Sequence, residues 1–526
     1  DLTSSQSEQC LPKLASILDD LIFGASELGD LAIGDIPHSD RLLMKLLWLA
    51  LCTTALEAFE EEAAPNDGAV FVTSYLPDRV KDGQSATAVD LGPLGWKAGN
   101  AMHSGYITVD EEKKKNTFFW LSTALDGNSS APLLLWLQGG PGASSLFGMF
   151  TEIGPFGIAP GGTIEPRAVH WNQHYHLLFL DNPVGTGFSF TETEEGFVSR
   201  HEQAGEDLQE ALSQFFQLFP QFRENHLYVT GESYAGKWVP SCAYAIHEKN
   251  KVAFQEERIN LKGIAIGDGA MNPAVQFKGF GDLLWFNGMV DEVEKAQFQA
   301  YEARIQEALK TSDTVGAFEI FDEMLNGDFY PYPTYYANVT GMGSNYFNFE
   351  LSPDATPLGG DFVKWLNQDA VKARIHVGSR KYAPENNTVE AHLKPDWMRD
   401  VLAELVPIME NYKVMIYSGQ NDIILGPTLT ENFLRGLEWS GQEEYSRAQK
   451  TVWRRSSKGP GSQLPDVAGY ARQVGQFSQV VVRGGGHMVP GDQPERALDM
   501  LERFVSGAGF GDPVPDAPQA GPPLVV

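Results

Sequence analysis

Ser233, Asp422 and His487 lie far apart in the chain, yet their types and order suit nucleophilic acyl chemistry. A serine hydroxyl attacks a carbonyl only when a base takes its proton, and an imidazole serves best when a carboxylate orients it. Ser233 stands in Gly231-Glu232-Ser233-Tyr234-Ala235-Gly236, among small residues. Residues 227–230 before it read as a short apolar strand, and residues 242–246 after it suit a helix. A serine at such a turn projects its hydroxyl from the sheet and aims the next N–H at a developing oxyanion. Ala235 takes the last small position, which the same close packing accepts.

The elements that must hold the partners follow the same plan. Residues 412–417 read as a buried strand running into Ser418-Gly419-Gln420-Asn421-Asp422, which puts a carboxylate just past the strand end. Residues 479–483 are another strand, followed by Gly484-Gly485-Gly486-His487. Three glycines permit a tight backbone path and close approach to a neighbour. The chain order serine, acid, histidine is a known order for such a triad. The reading is Ser233 as nucleophile, His487 as general acid and base, and Asp422 as its orienter. A further strand, 133–137, leads into the loop Gln138-Gly139-Gly140-Pro141-Gly142-Ala143-Ser144-Ser145. Such a loop donates one N–H to an oxyanion, which makes Gly140 and Tyr234 the expected pair. A phosphate-binding role is excluded, because the loop lacks the Lys followed by Ser or Thr that a P-loop requires.

With these residues in view, the chain resembles the serine carboxypeptidases, most closely the vitellogenic-like carboxypeptidases. The matching blocks are 136–145, Glu152-Ile153-Gly154-Pro155-Phe156, 181–189, 231–240 and 484–490, within a resemblance spanning about 72–506. It implies an α/β-hydrolase fold with a mostly parallel central sheet and an inserted, partly helical cap. It also implies an enzyme that releases single residues from peptide C-termini through an acyl-enzyme. Ser233, Asp422 and His487 look like the family's triad, and Gly140 and Tyr234 like its oxyanion hole. The family's site for the substrate carboxylate falls on Gln138, Glu152 and Glu232. Two glutamates there repel a carboxylate unless they hold protons; crowding raises their pKa values, and the acid form donates a hydrogen bond. Activity is therefore expected to favour acidic pH, limited on the acid side because the general base must be neutral. The family at large has Asn where Gln138 stands, although closer relatives use Gln, and many members have Cys in place of Ala143. An acyl-enzyme does not dictate its acceptor, so acyl transfer, or a silent protective or binding protein on the same scaffold, are the alternatives. Glu152 and Glu232 favour peptide hydrolysis. A homodimer is a family-style expectation, with no interface visible in the sequence.

The 526 residues divide into an upstream, non-native stretch (1–43), a signal peptide (44–58), a hydrolase core in two parts (72–274 and 361–506) around a cap (275–360), and a disordered tail (507–526). Met44-Lys45 followed by a short apolar run gives the signal peptide its pattern, with Ala55 or Ala58 at the cleavage site. The formal charge of -30 argues against nucleic acid as partner. Of the three cysteines, Cys10 and Cys52 fall before the expected mature enzyme, leaving Cys242 alone without an intrachain disulfide. With so few thiols and no close pair of histidines, neither a metal site nor a cofactor is expected. Sequons at Asn128, Asn338 and Asn386 suit glycosylation along the secretory pathway, in a lysosomal, vacuolar or secreted setting. The aromatic run 329–336 either lines a substrate pocket or packs the cap, and packing is the default.

Overall fold

The computed structural model describes residues 67–353, 360–458 and 465–511. The expected upstream stretch, the signal peptide, Cys10, Cys52 and residues 512–526 of the tail lie outside the described residues.

Strand β3 (Leu133–Leu137) shows how the sequence builds the centre. Its five residues are all buried, because both faces of the sheet are covered. Leu133, Leu135 and Leu137 enter one apolar core, while Leu134 and Trp136 enter a second core on the other face. This alternation follows from the two-residue period of a strand. The sheet is completed by β1 (Met102–Asp110), β2 (Lys115–Ser122), β6 (His176–Leu180), β7 (Leu227–Glu232), β8 (Leu261–Gly267), β9 (Lys413–Gly419), β10 (Thr451–Lys458), β11 (Pro465–Val474) and β12 (Phe477–Val482). Its spatial order is β1-β2-β6-β3-β7-β8-β9-β12-β11-β10, and β4 (Phe156–Ile158) pairs separately with β5 (Ile164–Pro166).

The six central strands, β6 through β12 in that order, run parallel. Both edges are antiparallel, β1 and β2 on one side and β11 and β10 on the other. Helix α1 (His201–Leu218) and helix α2 (Ala235–Val252) bury apolar faces in the first core. Pro240 sits within α2. Between β8 and β9 the chain adds no strand to the sheet among the described residues. It forms helices instead, including Phe280–Phe286, Glu292–Lys310 and Thr314–Phe321. Among the described residues no helix is long and apolar enough to cross a membrane.

The neighbours β3, β7, β8, β9 and β12 all end at one edge of the sheet, where their registers align. The residues just past those five ends are therefore gathered in one crevice, the usual ligand position in a parallel sheet.

Candidate active site

The turn after β7 forces Ser233 to φ +64°, a left-handed conformation costly for a residue with a Cβ. Backbone bonds hold it there: Ser233 N–H donates to Gly267 O (3.0 Å), and Ser233 O accepts from Gly236 (2.9 Å) and Ala270 (3.0 Å). The small neighbours are required. A Cβ on Gly231 would come within 2.4 Å of Leu137 O and 2.9 Å of the Ala235 Cβ. A Cβ on Gly139 would meet Tyr234 N at 2.5 Å and the Ser233 Cβ at 2.6 Å, so the glycine-rich loop lies directly against the turn. Asp181 pins that loop through the Ser144 hydroxyl (2.6 Å) and Ser145 N–H (3.0 Å). Gly140 itself has φ +99°. The N–H groups of Gly140 and Tyr234 donate no hydrogen bond within the protein among the described residues.

His487 and Asp422 are brought together across the crevice. His487 Nδ1 lies 2.9 Å from Asp422 Oδ2, with both side chains buried. Asp422 Oδ1 accepts from Ile424 N–H (3.0 Å). His487 Nε2 is buried and unpartnered, and no hydrogen bond joins it to Ser233, although both residues line one cavity of about 420 Å³. Residues between β8 and β9 secure the pair. Phe347 O accepts from His487 N–H (2.6 Å), Tyr346 O accepts from Ile423 N–H (3.1 Å), and Asn348 Nδ2 donates to Asp492 (2.9 Å). These contacts depend on tertiary placement, and no sequence signal marked them.

Gln138, Glu152 and Glu232 also meet. Gln138 borders the cavity and donates from Nε2 to Glu232 Oε1 (2.7 Å), while its Oε1 accepts from Trp136 Nε1 (2.9 Å). Glu152 and Glu232 are buried, at 2% and 0% exposure, close enough to shift each other's protonation, and no N–H or O–H among the described residues donates to either Glu152 oxygen or to Glu232 Oε2. Two ionised carboxylates have no proton to share, so a bond between them needs one to be protonated. Burial raises Glu152 to about 7, with Asp492 adding to the shift and the nearby Glu232 and Gln138 side chains opposing it. Burial, then the charge of Glu152, also holds Glu232 well above the usual carboxylate range. Neither forms an ion pair among the described residues. Arg167, the cation bearing on Glu152, is committed to the carbonyls of Gly154 (2.5 Å) and Phe150 (2.6 Å).

The same cavity is walled by Asp328 and Glu385, which burial pushes up to about 6 and about 7. No residue of the aromatic run 329–336 lines it; Tyr346, Phe347 and Trp397 do. Cys242 is free, fully buried in the first core, and removed from this chemistry. Asn128 and Asn338 are exposed, whereas Asn386 is half-buried and donates from Nδ2 to Gly185 O (2.8 Å). Two imidazole–carboxylate groups come within ligand spacing, His201/Glu202/Glu404 and Asp268/Asp422/His487. In both the histidine Nδ1 is already 2.9 Å from a carboxylate, Asp396 or Asp422. Counting thiols and histidine pairs did not foresee such clusters, because carboxylates distant in sequence build them.

Comparison with known proteins gives the family and the fold. The serine carboxypeptidase family profile matches residues 94–507. The chain is 42% identical over 443 residues to a probable serine carboxypeptidase CPVL of Homo sapiens, covering 84% of this chain and 90% of the relative. It is 42% identical over 438 residues to the venom serine carboxypeptidase of Apis mellifera, covering 83% and 91%. In fold it is similar to KEX1(DELTA)P, a prohormone-processing carboxypeptidase from Saccharomyces cerevisiae. The TM-score is 0.65 at 22% identity, over 81% of this chain and 96% of that one.

Proposed function

The chain belongs to the serine carboxypeptidase family, and from that premise we propose how this serine carboxypeptidase acts: it releases C-terminal residues through an acyl-enzyme on Ser233. His487 takes the serine proton through Nε2 and later returns it to the leaving amine. Asp422 fixes the imidazole through Nδ1 and stabilises its charged form. The N–H groups of Gly140 and Tyr234, free of protein partners, receive the oxyanion. The observation that carries the exopeptidase reading is the set Gln138, Glu232 and Glu152 beside the cavity that Ser233 and His487 line. A protonated glutamate pair linked to an amide donor suits a free carboxylate, and an internal peptide bond offers none.

Acidic pH preference belongs to the same proposal. Groups with raised pKa values hold their protons below those values and lose them as pH rises. Glu152, with a value near 7, then turns from donor to repelling charge. Asp328 and Glu385 on the cavity wall ionise over a similar range and add to the repulsion. We also assign the helical insertion, residues 275–360, the role of a cap, since Asn326, Asp328, Tyr346 and Phe347 wall the cavity. Secretory routing, lysosomal, vacuolar or secreted, is supported by exposed sequons at Asn128 and Asn338 and by similarity to a venom enzyme.

The test is hydrolysis of a blocked dipeptide, its C-terminal amide, and the Ser233→Ala protein at acidic pH. Release of the last residue far faster from the free acid than from the amide, abolished by Ser233→Ala, is the expected result. Equal turnover of the amide would overturn the carboxylate site, and an active Ser233→Ala protein would overturn the nucleophile.

A further inference from the structure

Asp268 follows β8 as Ser233 follows β7 and Asp422 follows β9, so it stands in the same crevice between the two. Like Ser233 it is a non-glycine residue at positive φ, +43°, a strained backbone held by Asp268 N–H donating to Tyr417 O (2.8 Å). Its side chain is fully buried. Oδ1 accepts from Gly419 N–H (2.9 Å), at the end of the strand that leads to Asp422. Oδ2 is buried, and no N–H or O–H among the described residues donates to it. Ligand atoms of Asp268, Asp422 and His487 all lie within 4.8 Å of one another. A second acid thus stands beside a histidine–carboxylate pair that needs only one.

We propose that Asp268 is a positioning residue that holds a proton and donates it as a hydrogen bond to Asp422, fixing the carboxylate that orients His487. Two carboxylates this close cannot both be charged without a cation, and one must keep a proton. The groups bearing on Asp268 from neighbouring elements are Asp422 past β9, Tyr417 within β9, Glu232 at the end of β7 and His487 past β12. None is a fixed cation. Burial, then the charge of Asp422 and its hydrogen bond, raises Asp268 well above the usual carboxylate range, against a smaller lowering by Gly419 N–H. Asp422, with Oδ2 on His487 and Oδ1 on Ile424 N–H, is the acceptor of that hydrogen bond. The division of labour is physical: Asp422 carries the charge that the imidazolium needs, and Asp268 supplies a neutral donor in place of water.

The inference rests on the reading of Ser233, His487 and Asp422 as the reacting set, and the experiment separates the two. Full-length wild type, Asp268→Asn, Asp268→Ala and Ser233→Ala proteins are compared on a blocked dipeptide across pH, with a serine-directed phosphonate counting competent sites. Asp268→Ala is expected to lower kcat by roughly 10- to 100-fold, with KM changed far less, as a misplaced catalytic group does. Asp268→Asn keeps an acceptor for Gly419 and a donor for Asp422, so kcat should stay within about threefold of wild type. Because the amide has no proton to lose, its kcat at saturating substrate should also persist to higher pH than that of wild type. Equal kcat in Asp268→Ala and wild type would overturn the inference. So would Asp268→Asn as impaired as Asp268→Ala, or identical kcat–pH profiles for Asp268→Asn and wild type. A Ser233→Ala protein that remains active would instead overturn the reading beneath it.

Discussion

The two neighbours of Ser233 lead to two buried acid clusters with opposite electrostatics. Glu232, before it, joins Gln138 and Glu152, with no ion pair to either glutamate among the described residues. Tyr234, after it, donates its hydroxyl to Asp396 Oδ2 (2.8 Å). Asp396 is also bonded by His201 Nδ1 (2.9 Å), Arg399 Nη1 (3.0 Å) and Lys237, whose Nζ lies 3.4 Å from Oδ2. Burial alone would raise Asp396, but the Lys237 charge and the His201 hydrogen bond bring it far below the ordinary range. Burial lowers Lys237 to about 8, so it stays charged beside Asp396 at neutral and acidic pH. Depth is common to both clusters; countercharge is not. In the proposed mechanism the cluster with cations is scaffold, holding the residue whose N–H would face the oxyanion. The cluster without them would keep protons and receive a substrate's charge.

The sharpest way to break this contrast is Asp396→Ala. It leaves Lys237 buried without its partner, and loss of one member of a buried pair costs about 3–5 kcal/mol. Chemical denaturation should show that loss, and Asp396→Asn, which keeps an acceptor for Tyr234, should be intermediate. On the proton-holding side, Glu152→Ala should leave stability nearly intact but raise KM. A hydrogen bond to a charged group is worth about 1.5–3 kcal/mol, so KM should rise roughly 10- to 100-fold with kcat little changed. Gln138→Asn shortens the link to Glu232 and should cost about 1 kcal/mol of binding, several-fold in KM. The smallest effect is on stability against pH. Folded Glu152 keeps its proton up to about 7 while the unfolded chain releases it near 4.5, so its contribution to stability falls as pH rises between those values. Asp396 has the opposite sign: its contribution is present above 3.8 and is lost only as pH falls through its lower folded value. Thermal melts of Glu152→Gln should therefore depend less on pH between 4.5 and 7 than those of wild type.

What could be read from the sequence was what strand ends carry. Ser233, Asp422, His487 and the loop from Gln138 all follow short apolar runs, so their shared edge was legible before any contact was known. Asp268 also follows such a run, yet a triad needs only one acid, and the second went unassigned. The antiparallel edges were missed because pairing direction depends on sheet order, which local periodicity does not report. The Asp396 cluster was invisible for a similar reason: residues 201, 237, 396 and 399 are ordinary polar positions until α1, α2 and the segment before β9 are packed together. Phe329 and the tyrosines of 330–336 drew attention by composition, but the cavity is walled by Tyr346, Phe347 and Trp397.

The central claim is that protons on Glu152 and Glu232 bind the substrate's carboxylate, and the pH dependence of KM tests it most directly. A blocked dipeptide and its C-terminal amide would be compared on wild type and on the Glu152→Gln/Glu232→Gln protein. The account predicts that wild-type KM for the free acid rises as pH climbs through about 7, while KM for the amide stays flat. In the doubly substituted protein, which has no proton on either residue to lose there, the rise should shrink to the smaller part that Asp328 and Glu385 on the cavity wall supply. A rise undiminished in that protein, or one shared equally by acid and amide, would contradict this reading.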